Sequence, residues 1–316
     1  MTLISRHSLG ITAGFAAIYL IWGSTYLAVA LALRSLPPFF LMGSRSIVGG
    51  LVLLLWVAIR GERLACFATW RKATVFGFFF FVGCHGVLAY AQQHAPSGLA
   101  AVLLATIPFW IVGLRIALPG DDRPPVGTLL LLVPGLAGVG LIAGRQLAAS
   151  SSGVRLTDVL VLLGASASWA AGTILSKRYP GTASPIAFSG MELVTGGIAL
   201  LALSLAFGEL SRLGVSNITP QSLAGWAYLT FAGTVVGFAA YVWLLKQISS
   251  TFVATYTFVN PIIAVLLGWL VLGEQPSGWM IAGAALVIVS VAAVLLSNTD
   301  AEKETNRCGH CFNGTG

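Results

Sequence analysis

The chain has 316 residues, 57% of them hydrophobic and only 9% charged, with a formal net charge of +7. Soluble domains carry about 25% charged residues, so one large water-facing domain is excluded and lipid is the solvent this composition fits. The basic excess sits in short tracts between apolar runs, which orients a membrane protein and does not make a phosphate-binding face, so no nucleic-acid partner is expected.

A hydrocarbon core about 30 Å thick takes roughly 20 helical residues per crossing. The first apolar run, 10–33, is longer than a signal-peptide core and lacks a small-residue cleavage site, so it reads as a span. Runs of similar length follow at 38–59, 73–93, 97–118, 125–144, 157–177, 184–207, 222–245, 251–272 and 277–297. Lipid offers no water to backbone groups, so the runs are expected as helices, and the alternating strands of a β-barrel are absent from the sequence. Turn formers separate them: Pro37-Pro38, Pro96-Ser97-Gly98, Pro124-Pro125, Gly181, Pro185 and Gln275-Pro276. Cys66 falls in a loop, and Cys84 lies within an apolar run as a small hydrophobe. The polar tail, 298–316, carries Cys308-Gly-His-Cys311 at a dithiol spacing and Asn313-Gly-Thr315 as a sequon. Without a βαβ context the dithiol reads as incidental, and only a lumenal tail could use the sequon.

Basic residues predict the orientation. With a cytoplasmic N-terminus, the inner segments hold Arg6, Arg60, Arg63, Arg71, Lys72, Arg115, Arg123, Lys177, Arg178, Lys246, Lys303 and Arg307. The outer loops hold Arg34, Arg145, Arg155 and Arg212, and Arg45 lies inside a span, so both termini are expected in the cytoplasm.

The runs are also related to one another. A shift of 147 residues places Trp22 on Trp169, Pro38 on Pro185, Arg45 on Glu192, and Gly49-Gly50 on Gly196-Gly197. A shift of 153 places Ala101 on Ala254 and Pro108 on Pro261. Because five is odd, a second set of five spans enters from the opposite side, which is the inverted repeat of many secondary transporters. The expected fold is an all-α membrane protein of about ten transmembrane helices, in repeats at 10–147 and 154–297 joined near the Ser- and Gly-rich stretch 148–153.

Ile21-Trp22-Gly23-Ser24-Thr25-Tyr26, then Pro37-Pro38 and Arg45, resemble the first repeat of the EamA-type drug/metabolite transporters. Pro96-Ser97-Gly98-Leu99-Ala100-Ala101 through Thr106-Ile107-Pro108 resembles the fourth helix of that repeat. Ser168-Trp169-Ala170, Glu192, and Tyr256 through Asn260-Pro261 to Gly273-Glu274 resemble the second repeat, so the likeness spans residues 10–297. In the first half Gly120-Asp121-Asp122-Arg123 stands where a Gly-Glu turn is common. The resemblance implies a multi-pass carrier of the bacterial inner membrane, often an exporter of amino acids, related metabolites or drugs. It also implies a cavity walled by spans one, three, four, six, eight and nine.

Arg45 and Glu192 are the sharpest candidates, each about seven residues past a span-opening proline, or roughly 10 Å deep at 1.5 Å per residue. An ionisable group there must avoid lipid, so Arg45 is a candidate for an anion such as a carboxylate and Glu192 for a proton or a cation. Each could instead lock helix packing. Inverted symmetry puts Arg45 toward the outer leaflet and Glu192 toward the inner.

Pro108 and Pro261 remove the hydrogen bonds to the carbonyls of Leu104 and Thr257, and are candidate hinges beside a binding site, with Thr106 and Asn260 as polar neighbours. Trp22, Thr25, Tyr26, Tyr90, Trp169, Tyr241 and Tyr256 offer surface for an organic ligand, as do His85 and the Gln92-Gln93 pair, of which Gln93 is assigned to the pathway. Gly135, Gly138, Gly140 and Gly144 lie within an apolar span with no strand before them, so they read as helix-packing positions, as do Gly233 and Gly237.

A carrier working by alternating access is the leading expectation, with a small-molecule substrate, the lipid bilayer and protons as partners and no cofactor. A monomer suffices because both repeats share one chain. No nucleotide-binding, zinc-protease or nucleophile motif stands in suitable context, so an enzyme is not expected. A membrane channel or a membrane-embedded enzyme is the alternative.

Overall fold

The computed structural model describes residues 3–62, 66–118, 126–148, 154–179, 183–214, 217–248, 253 and 255–294. All regular elements among the described residues are helical. In chain order they are α1 (Leu3–Ala32), α2 (Pro38–Ile59), α3 (Phe67–Ala91), α4 (Ser97–Ala117), α5 (Val126–Ala148) and α6 (Leu156–Arg178). Then come α7 (Pro185–Ala206), α8 (Pro220–Leu244), α9 (Tyr256–Leu272) and α10 (Gly278–Val294), with one short turn of helix, Glu209–Arg212, after α7. Seven of these are long and apolar enough to cross a membrane, and α5 runs for 23 residues. Helices α9 and α10 are no longer than 17 residues, near the lower limit for a span. The expected all-α membrane architecture of about ten helices is the one the chain adopts. The tail 298–316, with Cys308, Cys311 and Asn313, and the joining stretch 149–153 lie outside the described residues.

Pro38 and Pro185 open α2 and α7 in their first turns, where a missing N–H costs nothing. Helix α3 starts at Phe67, ahead of the apolar run that begins at residue 73, because backbone hydrogen bonding continues into the polar turns around Arg71 and Lys72. Cys66, exposed at its N-terminus, has a thiol held below its ordinary value by the Thr69 N–H and hydroxyl.

Among the helix pairs that join the halves, two bring a helix against its repeat counterpart. The most extensive helix pair is α2 with α7. A Cβ on Gly50 would come within 2.8 Å of the Gly190 carbonyl oxygen, and one on Gly197 within 2.9 Å of the Gly43 oxygen. Numbering rises on one helix as it falls on the other, so the two run antiparallel. The 147-residue register carries Gly43 onto Gly190 and Gly50 onto Gly197, so it exchanges these two contacts. At the second seam, a Cβ on Gly138 of α5 would meet the Gly283 oxygen of α10 at 2.6 Å, and one on Gly283 would meet Gly138 at 2.8 Å. Gly140 has open space around it and packs against nothing.

Four of the described spans depart from regular α-helix. Helix α3 is π-helical over Phe78–Gly86, α8 over Tyr228–Val236, and α9 over Gly268–Leu272. Helix α4 is broken at residues 105–106, between Ser97–Leu104 and Ile107–Ala117. Pro108 thus stands in the first turn of a new helical piece, whereas Pro261 sits inside the continuous piece Tyr256–Leu267. The two prolines align in sequence but occupy different places in their helices.

Candidate functional site

Each half sends one tryptophan into a π segment of the other half. Trp22 of α1 donates from Nε1 to the Gly233 carbonyl in α8 at 3.0 Å. Its ring lies edge-on to Tyr256 of α9 at 4.8 Å and 5.3 Å from Tyr241 of α8. Gly237 makes room, since a Cβ there would fall 2.5 Å from the indole nitrogen. On the other side, Trp169 of α6 meets Phe80 at 4.8 Å and His85 at 5.3 Å, both edge-on and both from the π segment of α3. The preceding residue, Ser168, donates to the Phe79 carbonyl at 2.8 Å. π segments are wider than α-helix and often mark functional positions; here those of α3 and α8 each present a carbonyl to a donor from the opposite half.

Tyr26, Tyr241 and Tyr256 lie deep in the bundle, yet each keeps part of its surface accessible. Tyr26 of the first half and Trp169 of the second pack against the same buried cluster.

Arg45 is 6% exposed, and its Nε is sealed from solvent with no acceptor in reach. Cys84 and His85 of α3 are among the groups that its charge influences. Glu192 is 7% exposed and accepts a hydrogen bond from Ser189, one turn earlier on α7. The two do not pair. Arg45 faces the level of Gly197, five residues along α7 from Glu192, an offset of about 7–8 Å along the helix axis.

Other candidates fall elsewhere. Tyr90 is 44% exposed and stacks on Phe39 at 6.1 Å, which in turn stacks on Phe207, so it stands at the rim of the bundle, away from the tryptophans. Gln93 is exposed and donates back to the Tyr90 carbonyl. The inward member of that pair is Gln92, which is buried and donates to the Tyr26 carbonyl at 3.2 Å. Thr106 is buried and hydrogen-bonds Leu103 and the Ser166 hydroxyl, which joins the break in α4 to α6. Thr25 bonds back to Trp22 within its own helix. Asn260 is buried with its Oδ1 unpartnered.

Three acidic residues that the span-by-span reading passes over work at one face of the bundle. Glu209, after α7, accepts from the Phe39 and Phe40 N–H groups at the start of α2, at 3.2 and 2.9 Å. Glu274, after α9, accepts from the Ser97 N–H at 2.7 Å, the Ser97 hydroxyl at 3.0 Å and the Gly98 N–H, at the start of α4. Asp158 pairs with Arg155 at 3.3 Å, and Arg155 reaches His94 at 3.0 Å. Acidic residues after helices were visible in the sequence, but their targets are far away along the chain.

The profile of the EamA-like transporter family matches this chain twice, at residues 8–144 and 156–296. The chain is 30% identical over 300 residues to the uncharacterized inner membrane transporter YedA of Escherichia coli K12, covering 92% of each chain. It is 25% identical to the uncharacterized transporter YoaV of Bacillus subtilis, over 88% of this chain and 94% of that one. It is 22% identical to the probable amino-acid metabolite efflux pump of Salmonella typhimurium, over 88% and 93%. One crystal structure shares the fold, with a TM-score of 0.61 and 21% identity, covering 91% of this chain and 97% of that one. With ten helices, a family match in both repeats and relatives named as transporters, the chain belongs to the EamA-like transporter family.

Proposed function

We propose that the chain is a secondary carrier of the bacterial inner membrane that exports a small organic metabolite by alternating access. The observation that carries this is the reciprocal pair of tryptophan clusters, Trp22 against α8 and α9 and Trp169 against α3. A site built by both halves changes the face it opens to when one half rocks on the other. The moving units are residues 10–147 and 154–297, with both termini cytoplasmic. The substrate path runs past Trp22, Tyr26, His85, Trp169, Tyr241, Tyr256 and Asn260, with Pro108 and Pro261 as hinges. Glu192 takes the coupling proton. Export, and amino acids, related compounds or drugs as cargo, have support from the relative named as an amino-acid metabolite efflux pump. The inner-membrane location has support from the relative named for it.

The test is counterflow in proteoliposomes with a panel of labelled amino acids and organic cations, run with and without an imposed pH gradient. Saturable exchange that the gradient accelerates, with Glu192→Gln losing only the acceleration, is the expected result. Saturable exchange indifferent to both makes the protein a facilitator and Glu192 structural. An absence of saturable exchange across the panel contradicts the carrier assignment.

A further inference from the structure

Charge is shared unevenly between the two ends of the bundle. Where α2 stops and α3 begins, Arg60, Arg71 and Lys72 are all exposed. Helix α6 finishes at the same end. A Cβ on Gly83 would meet Ser168, and one on Gly172 would meet Phe79 and Phe80, so numbering falls on α3 as it rises on α6. The first piece of α3, Phe67–Gly77, also packs against α6. Counting on from Gly172 at 1.5 Å per residue, exposed Lys177 and Arg178 come within roughly 5 Å of Arg71 and Lys72 along the axis. Among the described residues the acidic side chains nearer this end are Glu62, which is exposed, and Glu192, which is buried. Asp158, Glu209 and Glu274 belong to the other end.

Aromatic residues mark the depth of these cations. The Arg60 guanidinium lies over the Trp56 ring at 4.9 Å, and Tyr179 is exposed just past α6. Trp and Tyr collect where headgroups meet hydrocarbon, so the basic side chains stand at the depth of the lipid phosphates. From Arg71 the outward face of α3 continues through Thr74, Val75 and Phe78, all exposed and on one helix stripe. One surface thus runs from a group of cations to a bare apolar strip.

We infer that this α3–α6 corner, Arg71 and Lys72 with Lys177 and Arg178, binds the phosphodiester headgroup of an anionic phospholipid, with an acyl chain along Val75 and Phe78. Arginine meets phosphate oxygens with a planar fork of donors, and lysine adds a compact charge. A zwitterionic lipid brings its own cation beside the phosphate and gains less from the cluster. Because α3 and α6 belong to different halves, the bound lipid bridges them at the end that Glu209 and Glu274 do not reach. The site faces the membrane, and it does not depend on what the carrier moves.

The test is native mass spectrometry of the full-length protein in detergent, titrated with phosphatidylglycerol or with phosphatidylcholine of the same chains. The wild type is expected to bind phosphatidylglycerol roughly tenfold or more tighter. Combining Arg71→Gln, Lys72→Gln, Lys177→Gln and Arg178→Gln should abolish that preference, whereas Arg34→Gln, exposed at the other end, should keep it. Should the fourfold variant fail to fold, Lys177→Gln alone should weaken phosphatidylglycerol roughly fivefold and leave phosphatidylcholine unchanged. Equal affinity for the two lipids in the wild type overturns the inference. So does a preference that survives loss of the four charges, or one that Arg34→Gln removes equally well. Displacement of phosphatidylglycerol by an equal concentration of inorganic phosphate would assign the cations to a free anion and overturn the lipid assignment.

Discussion

The two ends of the bundle are built differently, although the repeat would make them alike. At the end where α2 and α4 begin, second-half carboxylates close over first-half helix termini: Glu209 on Phe39 and Phe40, and Glu274 on Ser97 and Gly98. Further cross-half bonds sit at the same end, from Ser222 to the Leu31 carbonyl and from the Thr219 N–H to Ser35. The repeat register carries Glu209 back onto Glu62, which ought to cap α7 at the opposite end. Glu62 is exposed, and Ser184 caps α7 from within its own half by accepting from the Ala187 N–H. The counterpart of Glu274 in the 153-residue register, Asp121, lies outside the described residues. One end is therefore latched by carboxylates from the other half. At the opposite end, the cross-half polar contacts among the described residues include hydroxyl bonds, from Tyr19 to Thr255 at 2.5 Å, Thr195 to the Ala73 carbonyl, and Ser290 to the Leu131 carbonyl. Symmetry is kept in the seams and given up at the ends, so the two ends differ in chemistry.

Breaking a seam should have the largest effect, because it disturbs both ends at once. Gly50→Leu forces a side chain into the Gly190 backbone, where a Cβ alone would come within 2.8 Å. Overpacking of a tight contact costs about 1–3 kcal/mol or more, and helix association in lipid depends on such close approach. Thermal unfolding followed by size-exclusion should show loss of most monodisperse protein. Gly140→Leu, facing open space, should leave it intact.

Loss of one shared tryptophan should come next. Trp22→Ala and Trp169→Ala remove matching anchors, so both should reduce counterflow at least several-fold with the protein still folded. A loss confined to one of them would show that the clusters are not equivalent. Removing a latch should be smaller. Glu274→Ala deletes the cap on α4, worth about 1–2 kcal/mol, and should open the latched end more than Glu209→Ala, which touches two N–H groups and no hydroxyl. Glu62→Ala should change nothing measurable. An effect from Glu62→Ala as large as that from Glu209→Ala would mean that the ends are alike after all.

The sequence carries what is local and periodic. Pro38 and Pro185 at helix starts and Arg45 and Glu192 buried away from lipid follow from run length and depth. Contacts between distant segments were not legible. Glu209 and Glu274 look like ordinary acidic residues after spans until the fold brings them to helix termini more than 160 residues away. The π segments were hidden as well, because hydropathy does not distinguish π from α-helix. Tyr90, just beyond the Phe78–Gly86 segment, stands at the rim, and Gln92 is the buried member of its pair with Gln93. Pro108 and Pro261 align by number, but only α4 breaks next to its proline.

The central proposal is that one internal site is reached from one face at a time, with the Glu209 and Glu274 bonds holding one end together. The direct measurement is side-specific labelling of Tyr26→Cys in oriented membrane vesicles, with the native cysteines replaced by serine because the Cys66 thiol would otherwise react. A membrane-impermeant thiol reagent should label position 26 from the unlatched face. Adding Glu209→Ala and Glu274→Ala should shift labelling toward the latched face. Equal labelling from both faces at once, or labelling unmoved by loss of both carboxylates, would contradict the account.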